Sequence, residues 1–205
     1  IQVREAGGTS WWTPERTRAA TLFKIGERVR LSIESPRAGY LYVIDREQYA
    51  DGTLGEPLVI FPTLQARGGN NRVSAGVLIE IPDQSDRIPY FKMTRGRDDQ
   101  VGEILTVLVT PQPIEGIPLT HERPRLSPEQ LAEWESIWGA QVELFEMEGG
   151  AGATWTKAEQ QAGAIAGRSL TQEEPVPQTI YRVRVKPGNP LLITVPLRYG
   201  HETTH

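Results

Sequence analysis

The chain has 205 residues, 22 of them basic and 26 acidic, with a formal net charge of -4, 38% hydrophobic residues and no cysteine. Without cysteine there is no disulfide framework, no thiol nucleophile and no cysteine-ligated metal site. A mixed, mildly acidic surface has no general attraction for nucleic-acid phosphates or anionic lipid, and no run approaches ~18 apolar residues, so neither nucleic acid nor membrane insertion is expected.

Residues 1–21 are polar and irregular apart from Trp11 and Trp12, and read as an N-terminal extension. From Leu22 the pattern turns β. Within residues 27–34, Val29, Leu31 and Ile33 alternate with Arg28, Arg30, Ser32 and Glu34, the period of two of a half-buried strand. Ser35, Pro36 and Gly39 punctuate a turn. Residues 40–44 are continuously apolar, as in a strand covered on both faces. Asp51-Gly52 occupies a loop before a strand at 58–61, which Pro62 stops. Strands are expected again at 77–81, as a short edge at 90–93, and at 103–110, where β-branched residues are dense. Arg95 to Asp99 is a charged turn between the last two.

A helix is expected after Ser127. The Ser is placed to cap it, Pro128 takes the first helical position, where no donor is needed, and Gln130 stands where it closes a capping box. Leu131, Trp134, Ile137 and Trp138 then share one face, and Gly139 ends the element. A second, weaker helix spans about 156–167. Finally Tyr181, Val183 and Val185 alternate with Arg182, Arg184 and Lys186, residues 187–190 turn, and 191–195 return as the second strand of a C-terminal hairpin.

The succession Phe23-Lys24-Ile25-Gly26-Glu27-Arg28-Val29, Gly39-Tyr40-Leu41-Tyr42-Val43-Ile44-Asp45, Asp51-Gly52 and Leu58-Val59-Ile60-Phe61-Pro62 is joined by Val73, Ala75-Gly76, Ile79-Glu80-Ile81-Pro82 and the strand at 103–110. Together these resemble the bacterial domain-of-unknown-function family 4384 over about residues 22–113. The resemblance implies a small β-rich accessory or recognition module without catalytic residues, found beside kinase-like, caspase-like or secretion-related regions. The expected fold is a mainly β, antiparallel sandwich over residues 22–199, with one or two helices inserted before a C-terminal hairpin and a tail at 200–205. Antiparallel pairing follows from short turns with no helix between the early strands. Ile1 in place of Met is read as the mark of a removed upstream segment, and the expectation is an exported bacterial protein, periplasmic or extracellular, with the cytoplasm as the alternative.

Several motifs suggest chemistry. His201-Glu202-Thr203-Thr204-His205 matches the zinc-protease pattern, which needs both His on one helical face, a Glu beside the metal-bound water and a third ligand. Two β-branched Thr and a preceding Gly200 oppose that helix, and no downstream ligand follows. Gly149 to Thr154 is similar to a dinucleotide loop but lacks the third glycine and a surrounding βαβ unit. Ser74 has Arg72 where a nucleophile elbow has Gly, and His121 has no Asp or Ser partner in its Pro-rich loop. Asp45, Asp51, Asp83, Asp86, Asp98 and Asp99 could gather around calcium, yet Asp is also an ordinary turn former and no EF-hand spacing is present. Trp11, Trp12 and Trp155 are candidates for stacking on sugars or anchoring a partner, whereas helical spacing assigns Trp134 and Trp138 to the core. The ladder Arg182, Arg184 and Lys186 either meets an acidic partner or forms a solvated strand face. No residue is assigned a catalytic, cofactor-binding or metal-binding role. The expected function is a non-enzymatic binding or scaffolding module with another protein as partner. The alternatives are a hydrolase using His201, Glu202 and His205, and a binder of envelope glycans through Trp11 and Trp12.

Overall fold

A computed structural model describes residues 2–5, 12–15, 17–139, 142–146, 179–186 and 188–200. In chain order the strands are β1 (Gln2–Glu5), β2 (Trp12–Glu15), β3 (Leu22–Phe23), β4 (Arg28–Val29), β5 (Leu31–Glu34), β6 (Gly39–Tyr49), β7 (Leu58–Phe61), β8 (Arg72–Val73), β9 (Leu78–Ile81), β10 (Phe91–Lys92) and β11 (Gln100–Thr110). Helix α1 (Pro128–Trp138) follows, then β12 (Val142–Glu146), β13 (Thr179–Val183) and β14 (Leu191–Tyr199). Among the described residues the fold is mainly β, with several sheets and no barrel.

The longest strands organise the rest. A central sheet runs in the order β3-β14-β11-β6-β7, with β8 also on β6. Its long pairings, β6 with β11 and β11 with β14, are antiparallel, and the short β14–β3 pair is parallel. A second sheet has the order β10-β4-β1-β2, and β5–β9 and β12–β13 form two-stranded pairs.

Period-two alternation sends side chains of the central sheet to two different cores. Leu41 and Val43 of β6, Val107 and Val109 of β11, and Ile193 and Val195 of β14 face inward, where they join Val29, Ile79, Ile81 and Met93 from the smaller sheets and their loops. Tyr42, Ile44, Leu108 and Leu192 point the other way, onto Leu131 and Trp134 of α1. The central strands are therefore covered on both faces, which is why residues 40–44 read as an unbroken apolar run.

The helix forms where its sequence predicts, although Ile137 of the expected apolar face is left exposed. The Ser127 hydroxyl accepts the Gln130 N–H at 3.2 Å, Pro128 opens the first turn and Gly139 is the C-terminal cap. The Ser127 hydroxyl also donates to the Glu129 carboxylate at 2.6 Å, so Glu129 is the acid beside the cap. Leu131 and Trp134 are buried and Trp138 stacks on Trp134 with ring centroids 5.6 Å apart, while Ile137 is 63% exposed.

Four expectations need correction. Residues 1–21 are not wholly irregular, because β1 and β2 pair with each other and β1 also pairs with β4. The strand expected over 27–34 breaks at Arg30, so that β4 joins β10 and β5 joins β9. That break turns Arg30 inward, where it is 7% exposed and holds Glu80 at 3.0 Å. The strand expected at 40–44 continues to Tyr49, because its polar residues still pair with β11. Last, no pairing among the described residues makes a hairpin of β13 and β14. Strand β13 pairs with β12, where Arg182 reaches Glu143 at 3.2 Å, and β14 lies beside β11. Alternation specifies faces and leaves the neighbouring strand open. The helix expected at 156–167 lies outside the described residues.

Candidate functional site

The candidates from sequence do not converge. His201, Glu202, His205, Trp11, Trp155, the 149–154 loop and the Trp12 side chain lie outside what the structure describes. Ser74 and His121 are exposed in separate loops. Among the described residues no group of His, Cys, Asp or Glu has the geometry to hold a metal ion. Four of these aspartates form turns or local pairs: Asp51 accepts the Thr53 N–H and hydroxyl, Asp83 accepts those of Ser85, Asp86 accepts the Arg67 and Asp83 N–H groups, and Asp99 pairs with Arg97.

Asp45 is different. The alternation that places Leu41 and Val43 in the inner core continues through Asp45, Glu47 and Tyr49, and on β11 through Val107, Leu105 and Glu103. Register sets Glu47 directly opposite Glu103, and Tyr199 of β14 completes the cluster. The inner face of one sheet thus changes from hydrocarbon to carboxylates and phenols within one turn of the pleat.

The hydrogen bonds there are short. The Tyr199 hydroxyl lies 2.6 Å from Glu103 Oε1 and 2.8 Å from the Thr94 carbonyl, and it accepts from Gln100 Nε2 at 3.2 Å. Tyr49 donates to Glu47 at 2.5 Å while the Arg97 guanidinium lies 4.0 Å above its ring. Asp45 Oδ1 is buried with no hydrogen-bond partner. Burial pushes the Asp45 carboxyl up to about 8, with the negative charges of Glu103 and Glu47 adding to the rise and Arg123 opposing it. Burial raises Glu103 as well, with Glu47 adding to the rise and the Tyr199 hydrogen bond and the Arg123 charge opposing it. Gly102 makes the approach possible, since a Cβ there would overlap the Leu197 carbonyl, and β11 carries an irregularity at that point.

The opposite face offers a surface rather than a polar core. Arg46 reaches Glu135 of α1 at 2.5 Å, and Thr106 donates to the same carboxylate oxygen at 3.2 Å, so the helix is pinned to the sheet by one ion pair. Beside it two clefts meet at Gly139. One, of about 470 Å³, is lined by Ile137, Trp138, Val185 and Pro190 with Arg184 and Lys186 on its wall. The other, of about 440 Å³, runs past Leu54, Ile104, Val142 and Thr194. Ile137 (63% exposed) and Arg184 (82% exposed, 3.8 Å from Glu143) give the first cleft an apolar and a basic side chain at its surface.

Sequence reasoning found the basic ladder and the helix face and missed both the acidic end and the groove. The alternation of Asp45, Glu47 and Tyr49 was the available signal, hidden because polar residues after Ile44 resemble a loop. No family model, curated protein or solved structure matches the chain. Among the described residues no helix is long and apolar enough to cross a membrane.

Proposed function

We propose that this chain is a non-enzymatic recognition module that binds another protein through the groove flanking the C-terminal end of α1. The groove itself carries the reading: Ile137 and Trp138 offer apolar contact, and Arg184 and Lys186 offer positive charge on the same wall. An extended or helical partner segment with apolar anchors and acidic flanks complements that surface, apolar residues supplying affinity and charge supplying orientation. An accessory role of the kind the family 4384 resemblance implies, in a bacterial and exported setting, is part of the same proposal. Placing a photo-crosslinker at Ile137 in the native cell tests this. A discrete protein adduct is expected, lost on Arg184→Glu/Lys186→Glu and absent when the crosslinker is moved to the exposed Ile88. Equal labelling at both positions, or turnover of a substrate by the purified chain, would remove the reading.

A further inference from the structure

Counting hydrogens around Tyr199 leads beyond recognition. Its hydroxyl oxygen lies 2.6 Å from Glu103 Oε1 and 2.8 Å from the Thr94 carbonyl. Both neighbours are acceptors when Glu103 is ionised, yet a phenol has one hydrogen to give. Gln100 does not relieve the shortage, because its amide donates towards the phenol oxygen. If Tyr199 donates to a Glu103 carboxylate, the Thr94 carbonyl faces a bare oxygen at hydrogen-bond distance. The contacts are all satisfied only when Glu103 brings a hydrogen of its own.

We infer that Glu103 is a carboxylic acid in the folded protein, donating to Tyr199, which donates to the Thr94 carbonyl, so that a proton fastens the end of β14 to β11 and to the loop before it. The surroundings agree. Glu103 faces Glu47 across the β6–β11 ladder, Asp45 adds a second carboxylate on the same face of β6, and Arg123 is the cation whose charge acts on both. Burial and the Glu47 charge disfavour ionisation of Glu103 while Arg123 and a hydrogen bond donated by Tyr199 favour it, and the neutral acid has a ready acceptor in the Tyr199 oxygen. Tyr199 also pairs with Phe23 through β14–β3, so loss of the proton loosens the strand that ties the N-terminal part of the chain to the central sheet. The device is a clasp closed by a proton and opened by alkalinity.

The test follows the Glu103 side-chain carbonyl by carbon NMR in the intact chain, assigned with Glu103→Gln. The wild-type midpoint is expected above the ordinary glutamate value of about 4.3. Tyr199→Phe removes the acceptor of the acid and should lower that midpoint by about one pH unit; if Tyr199 instead donates to a carboxylate, the same change raises it. Asp45→Asn removes the neighbouring carboxyl, and the raised midpoint should survive it. An ordinary midpoint in the wild type, a midpoint unchanged or raised by Tyr199→Phe, or a return to the ordinary value in Asp45→Asn would each overturn the clasp.

Discussion

The two ends of one sheet face behave as different materials. At the end formed by Leu41, Val43, Val109 and Ile193, hydrocarbon meets hydrocarbon, and the stabilisation is non-directional and indifferent to pH. At the end formed by Asp45, Glu47, Glu103 and Tyr199, the same pleat and pairing persist, but burial now acts on groups that resist losing water. Backbone geometry is common to both ends, so the contrast isolates side-chain chemistry. It shows that a strand's polar continuation need not be its exposed continuation.

The largest effect is expected at the apolar end. Leu41 is fully buried, and Leu41→Ala should cost about 2–5 kcal/mol in denaturant unfolding, with the same loss at acid and alkaline pH. Asp45→Asn probes the other end through its pH dependence. A carboxyl raised to about 8 in the folded state binds more protons there than in the unfolded chain. Its contribution to stability is therefore complete below about pH 4 and declines as pH rises towards 8, by at most about 1.4 kcal/mol per pH unit. The Asn variant should lack this decline, so its stability relative to the wild type should rise steadily between about pH 4 and about pH 8. Equal slopes would end the claim that Asp45 is buried and protonated.

Smaller changes sharpen the contrast with the helix-covered face. Glu135→Ala leaves the Arg46 guanidinium facing the sheet without its partner and should cost about 1–3 kcal/mol in the same assay. Ser127→Ala removes the helix cap, with an expected cost of about 1 kcal/mol. Neither should alter the slope of stability above neutral pH, since neither contacts the acidic end.

What could be read from sequence follows these physical lines. Strand β7 was legible because four apolar residues run directly into Pro62, and α1 because its cap, first-turn proline and terminal glycine agree with its apolar spacing. The polar half of β6 was not legible, since Asp45 to Gln48 have the composition of a turn and only the β11 ladder holds them extended. Arg30 was misassigned because the break between β4 and β5 buries it beside Glu80, while Val29, Leu31 and Ile33 keep the core face that alternation gives them. The partner of β13 is a non-local fact that alternation does not carry. The acidic end was invisible for the same reason: Asp45, Glu103 and Tyr199 come from three strands far apart in sequence, and register alone brings them together.

The most direct measurement is native-state amide hydrogen exchange along β6, β11 and β14 at about pH 5 and about pH 8.5, corrected for intrinsic exchange. Amides around Val43, Val107 and Ile193 should keep the same opening free energy at both values, while those around Glu47, Glu103 and Tyr199 should lose protection at the higher one. Uniform change along the three strands, or none at either end, would contradict the division of this sheet face into a pH-indifferent and a proton-held half.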